Sequence, residues 1–564
     1  LISLLHLFTS IIVKILAFVN ISAFTLNLAI DFYKKGGRLQ VHLSCRDDLI
    51  LFMIVGVTAT SFIIRFLSVI GRVAPTGKDF FAISLYAHSI QVARTIDLFA
   101  TIRYGDTWFT YPSGHPIFIA YMSSLLGITP ERAILLLDPL ITSLLHGLVF
   151  VLAYTIFNNV LTGFIASMLF FLTYFPMAFL WGGYSFMLAS LLLIGLITIT
   201  NRTNRYNYNY FIDVILSGLL LGSIWLTYPL MFLSVFTFYL SSFFLTLKSR
   251  HPKKIFKKVF LITMIAFSTS LPTTIQLTAG YLHRFGLLDV NIGEAPDIQN
   301  IDYGERDLPF KQLLEELLLF NLPISAFTIL DRLSELYTYG MPRNHFEDIF
   351  IIALCCSFLS LFLKHKRKSS KNQNKEKCCH IFQVVLWYFF LMIIAQINDY
   401  GMLNSVKVIF PLLYEILNGY TSRIIFMSTI PLNLLLAKLI TQGLYVLSPC
   451  VHRKSKTLIL KIKVRADFKS YCLITLYILL FLVSILYLCS GINQTANWFV
   501  SSSKSVTLNV VDSDDYAVIL WICNNLPENA TILVHPEGAG QLIPVIADRS
   551  CLLYTSDAAD DGES

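Results

Sequence analysis

GRVAPTGKDFFAISLYAHSIQVARTIDLFATIRYGDTWFTYPSG, residues 71–114, is a polar interruption between two long hydrophobic runs, and it gathers Asp79, His88, Arg94, Asp97, Arg103 and Asp106 beside a membrane. Ionisable groups so near lipid are costly and are kept where they bind or react. The stretch reads as a loop on one face of a polytopic membrane protein, and its flanks decide which face.

Composition fixes the class. Of 564 residues, 55% are hydrophobic and only 14% charged, with a mean hydropathy of +0.66. A soluble domain cannot hide that much apolar surface, whereas lipid solvates it. The net charge of +8 comes from basic clusters in short loops, at Lys248–Lys258, Lys364–Lys377 and Arg453–Lys469. That is the positive-inside pattern of cytoplasmic loops, which excludes nucleic acid as a partner. The ten cysteines form neither a disulfide framework nor a zinc pattern.

Outward from the loop, Leu1–Ile30 is apolar and is followed by Lys34, Lys35, Arg38 and Arg46, which belong in the cytoplasm; Leu49–Ile70 then crosses outward. Within the loop, Asp79–Ala100 has helical periodicity at Phe80, Ile83, Tyr86, Ala87 and Ile90, and is expected to lie flat on the membrane surface. Tyr111-Pro112-Ser113-Gly114 breaks the chain, and Pro116–Gly127 is too short for an ordinary span. Ala133–Phe157, Val160–Leu180 and Phe186–Thr200 then alternate in, out and in. Ile212–Leu226 and Leu230–Leu247 form two short spans broken at Thr227-Tyr228-Pro229. A rival count makes Pro116–Gly127 a span and 212–247 one helix, but leaves Arg202 and Arg205 outside. Gly280–Phe346 is a large outer loop with ten acidic against five basic residues, the reverse of the cytoplasmic loops. The whole makes about eleven crossings, with the notable charges in outer loops rather than mid-helix.

The expected organisation is an N-terminal hydrophobic segment and cytoplasmic linker (1–47), then an all-α transmembrane domain (48–491) with outer loops 71–132 and 280–346. The start of an extracytoplasmic α/β domain follows (492–550), with a helix over DDYAVILWICNNLP and a strand at Thr531–His535. Residues 551–564, opening CLLYTSDAAD, resemble an in-frame translation of a sequencing-library adapter, so the natural domain is expected to be truncated there.

Four features resemble the GT-C superfamily of integral-membrane glycosyltransferases, which includes oligosaccharyltransferase catalytic subunits and protein O-mannosyltransferases. They are Gly77-Lys78-Asp79 after the first outward helix with Tyr111-Pro112-Ser113-Gly114 beyond it; Pro176 with Trp181-Gly182-Gly183-Tyr184-Ser185; Gly419-Tyr420-Thr421-Ser422-Arg423; and Trp521-Ile522 with Gly538–Arg549 in the outer domain. The resemblance implies a GT-C-like fold that moves a sugar from a polyprenyl-phosphate donor to a protein, glycan or lipid acceptor at the extracytoplasmic face. Asp79 would then be the base, with His88 assisting, and a carboxylate suits that proton. Arg423 would bind the donor phosphate, since its planar fork makes paired charge-assisted bonds. Tyr111, Pro112, Trp181, Tyr184 and Asp399 would line the substrate cavity. Oligosaccharyltransferase subunits carry paired acidic residues after the Gly-Tyr junction; here stand Ser185, Phe186 and Met187. Metal-independent transfer is therefore expected. The bland alternatives are Asp79 as a helix-capping residue, and a transporter, lipid flippase or inactive scaffold in place of an enzyme.

Overall fold

The computed structural model describes residues 45–77, 79–94, 112–173, 183–203, 210–246, 258–271, 274–275, 381–391, 394, 427–438, 440–442, 511–534 and 539–553. Helix α1 (Cys45–Val69) is polarised by lipid rather than water. Leu51, Phe52, Val55, Ile63, Phe66 and Leu67 are exposed, while Val57, Ser61, Arg65 and Val69 form a buried stripe at four-residue spacing. The polar groups thus sit on the protein-facing side, as expected where the outer solvent is hydrocarbon.

After α1 the chain turns through Gly77 (φ +76) into α2 (Asp79–Ala93), which ends at Arg94 in the left-handed region (φ +58). The expected periodicity holds, with Phe80, Ile83, Tyr86, Ala87 and Ile90 all buried. α2 is sandwiched between α3 (Gly114–Leu126) and α4 (Pro130–Phe157) on one side and C-terminal segments on the other. Phe80 and Phe81, stacked at 4.2 Å, are both buried, so the helix is apolar on more than one face and is covered by protein.

The thirteen-residue α3 is as short as its sequence requires and stops at Gly127. α4 stops at Asn158 (φ +51), then α5 (Val160–Thr173), α6 (Tyr184–Thr203), α7 (Tyr210–Thr227) and α8 (Met231–Thr246) follow. The break between α7 and α8 at Tyr228-Pro229 agrees with the two-span count and overturns the single-helix rival. α4 is the central pillar, packed on α1, α5 and α6, and α6 packs on α7. Gly222 of α7 lets helix Lys258–Leu271 approach so closely that a Cβ there would lie 3.0 Å from the Ala266 carbonyl oxygen. Helix Ile381–Leu391 joins through buried Trp387, edge-on to Phe238 at 5.3 Å, and residues 427–442 join through a Thr162–Thr441 hydrogen bond of 3.0 Å. Among the described residues, Ile50–Leu67, Pro130–Phe157 and Tyr184–Asn201 are long and apolar enough to cross a membrane.

The C-terminal unit opens with α9 (Ser513–Asn525), started by a capping box between Asp512 and Asp515. Strand β1 (Thr531–Val534), a 3-10 turn (Ala539–Leu542), α10 (Ile543–Ile546) and strand β2 (Ser550–Leu553) complete it, the strands pairing in parallel with Thr531 opposite Ser550. Arg549 donates to the carbonyls of Ala547 (2.8 Å), Cys523 (3.2 Å) and Leu526 (2.8 Å), so a cation closes the C-terminal end of α9. Cys551, Leu552 and Leu553 complete β2, opposite Ile532, Leu533 and Val534. The first hydrophobic run, the 280–346 loop and the crossing at 471–490 lie outside the described residues.

Candidate active site

Three separate breaks in the hydrophobic pattern meet on the first turn of α6. Successive residues of an α-helix point roughly 100° apart, and here each grips a different segment. The Tyr184 hydroxyl donates to the Thr76 carbonyl (2.9 Å) and accepts from the Thr76 N–H (2.9 Å). Ser185 Oγ lies 3.0 Å from His115 Nδ1, and the Phe186 ring stands edge-on to Tyr228 at 5.3 Å. Thr76 leads into Asp79, His115 follows Ser113-Gly114, and Tyr228 lies in the α7–α8 break. Residues over a hundred positions apart thereby form one cluster.

Gly114 seals it. A Cβ there would lie 2.7 Å from the backbone carbon of Leu226 and 2.8 Å from the Thr227 nitrogen, and neither can swing aside like a side chain. Gly114→Ala is therefore expected to cost about 1–3 kcal/mol as an overpacked contact. A lowered Tm for the purified protein would record it; an unchanged Tm would contradict the contact.

His115 is buried, and burial pushes its imidazole down to about 3. The folded protein holds this histidine neutral while the unfolded chain protonates near the ordinary value of 6.5, so stability is fully present above that value and falls with acid down to about pH 3. His115→Gln is expected to flatten that part of the stability profile, as read by unfolding at a series of pH values.

Asp79 opens α2, half-buried, where the helix dipole favours a carboxylate. His88 is nine residues on, about 13 Å along the axis and on the opposite side of the helix, so the two are not brought together. Its Nε2 lies instead 3.5 Å from Asp548 Oδ1 of the C-terminal unit. That unit makes a second contact at α4, where the Arg132 guanidinium sits 5.4 Å over the Tyr516 ring. Pro112 is half-buried beside Ser113, and Tyr184 is buried. Tyr111, Trp181, Asp399 and Arg423 lie outside the described residues.

The structure adds a feature that the charge survey missed, and it corrects the expectation that notable charges avoid the helices. Arg65 of α1 donates through Nε to Asp138 Oδ2 of α4 and forms an ion pair with it, the two side chains 3% and 5% exposed. One helical turn inward, Ser61 Oγ lies 2.8 Å from His146 Nδ1. The signal was in the sequence: a lone arginine in one apolar run and a lone aspartate in another demand partners. Pro139, following Asp138, removes a hydrogen bond from α4 at that level. Arg72, between this pair and Thr76, is partly buried, and its guanidinium is held below its ordinary range by burial, with Tyr184 opposing and Arg65 adding to the shift. It stays charged all the same.

The first turn of α6 offers a phenol, a hydroxyl and a phenyl ring, all engaged, where a divalent cation would need carboxylates. These residues do not fit a metal.

No family model and no curated protein matches the chain. Solved structures do. The chain is similar to the archaeal oligosaccharyltransferase AglB from Archaeoglobus fulgidus, in complex with an inhibitory peptide and a dolichol-phosphate, at 11% identity and a TM-score of 0.48 over 89% of this chain and 64% of that one. It thus spans under two thirds of that protein's length. It is also similar to ArnT from Cupriavidus metallidurans bound to undecaprenyl phosphate, at 12% identity and a TM-score of 0.47 over 90% of this chain and 87% of that one. Likeness at this level leaves the reaction to be argued from the residues.

Proposed function

We propose that this chain is a multi-pass membrane glycosyltransferase of GT-C type, moving a sugar from a polyprenyl-phosphate donor to an acceptor at the extracytoplasmic face. The observation that supports it is the seating of Asp79. A carboxylate heads a helix that is otherwise walled by apolar side chains, at the end of a loop tied to the cluster around Tyr184, Ser185 and His115.

In this mechanism Asp79 takes the proton of the acceptor hydroxyl or amide as its oxygen or nitrogen bonds to the anomeric carbon. The bond from that carbon to the polyprenyl phosphate breaks, and the phosphate leaves with the electron pair. Arg423 is the proposed partner of that phosphate, on the sequence resemblance. His88, turned towards Asp548, is assigned to domain docking rather than to proton transfer.

The test is transfer of label from polyprenyl-phosphate sugars by membranes carrying the protein, beside membranes carrying Asp79→Asn. Loss of transfer in the variant alone places Asp79 at the reaction. Equal transfer removes Asp79 from it, and no transfer by either across several donors and acceptors removes the glycosyltransferase assignment.

A further inference from the structure

We infer that Tyr184 is a positioning residue: its one hydroxyl closes both backbone groups of Thr76 and so fixes the Gly71–Asp79 loop from which the proposed base projects. This deepens the function proposed above and rests on it for its catalytic consequence.

Thr76 lies in a loop and is only 2% exposed. A buried N–H and C=O need partners whether or not the chain is helical, and a loop has no ladder to supply them. A phenol is suited to the task because one O–H donates and the same oxygen accepts. At 2.9 Å in each direction, with Thr76 Oγ1 at 3.2 Å as a third contact, Tyr184 satisfies the residue completely. The anchor itself is firm, since α6 packs on α4 and α7 and Tyr184 begins it. Two residues, Gly77 and Lys78, separate the strapped carbonyl from Asp79, too few to let the carboxylate wander while the strap holds.

Tyr184 is therefore not a wall of the substrate cavity. It is 5% exposed, and its polar atom is spent on the backbone. A residue that touched the donor would change donor binding when altered; one that aims the base changes the chemical step. The two roles separate in KM and kcat.

The experiment uses the full chain in lipid nanodiscs. Hydrogen exchange at the Thr76 amide is followed together with transfer kinetics for the parent, Tyr184→Phe and Thr76→Val. In the parent, that amide is expected to exchange at least tenfold more slowly than an open loop amide. Tyr184→Phe keeps the ring and removes the strap. It is expected to raise exchange at Thr76 by about tenfold or more without altering exchange in α4, and to lower kcat by about 10- to 100-fold with donor KM within twofold. Thr76→Val keeps both backbone bonds and should leave exchange at the parent rate.

Unchanged exchange in Tyr184→Phe overturns the strap. Faster exchange with unaltered kcat overturns its catalytic consequence, and a raised KM with kcat intact returns Tyr184 to the substrate wall. If Tyr184→Phe does not accumulate, the parent decides, because an unprotected Thr76 amide sinks the inference alone. Should Asp79→Asn transfer sugar as well as the parent, the glycosyltransferase mechanism fails while the exchange result still judges the strap.

Discussion

Arg65→Met is expected to strip most of the folded protein from the membrane, and Arg65→Met combined with Asp138→Leu to restore it. The pair is almost fully buried between α1 and α4. Removing one partner leaves a charge with no counter-ion in an apolar contact, which costs about 3–5 kcal/mol. Native stability is itself only about 5–15 kcal/mol, so the single variant loses a large part of its margin. Replacing both charges by apolar groups of similar volume removes the orphan together with the attraction, an exchange that is often neutral or favourable. Yield of monodisperse protein and its Tm measure both variants. If the double variant is as poor as the single one, the pair does more than hold two helices together, and its hydrogen-bonding beside the Tyr184 cluster becomes the thing to explain.

Asp79→Asn is expected to lower transfer by about 10²- to 10⁴-fold, the usual worth of a positioned general base. Asparagine keeps the size and polarity of the side chain and can still sit at the head of α2, so expression and Tm should change little. Asp79→Glu keeps the carboxylate but carries it about 1 Å further. A displacement of that size costs on the order of 10²-fold, so glutamate should fall between the parent and asparagine. A purely helix-capping role predicts the same small change in Tm but transfer retained, since asparagine caps a helix about as well as aspartate. Measuring rate and Tm on the same preparations separates the two.

Much of the fold was legible because it depends on local chemistry. Asn158 marks the end of α4, Tyr228-Pro229 divides α7 from α8, and Gly114 to Gly127 bounds a helix too short to span. Five of the buried positions of α2 were readable from helical spacing, while Phe81 and Ser84 were not. What covers that face was not. Lipid and the core of a helix bundle are both apolar, so a sequence pattern that asks for one accepts the other. The C-terminal 3-10 turn and α10 pack against α2, a contact no spacing in the sequence announces.

The cluster on the first turn of α6 was half legible for a related reason. Thr76, His115, Tyr184 and Ser185 each lie in a recognisable break, but their pairing joins positions 70 to 108 residues apart, and no periodicity carries information over that distance. Arg65 and Asp138 were visible as isolated charges, yet each looks like a liability until the other helix is placed beside it. Hydropathy reads along a helix; the site is made across helices.

The Thr76–Tyr184 strap also sets an order of events during biosynthesis. Its two ends are 108 residues apart in the chain. At about 5–20 residues per second, a ribosome takes several seconds or more to deliver the tyrosine after the threonine has been made. During that interval α1 and the whole of α4 can enter the bilayer while the carboxylate at the head of α2 remains unaimed. Only the insertion of α6 supplies the hydroxyl that sets it, so a nascent chain acquires an oriented Asp79 after its central pillar is in place and not before.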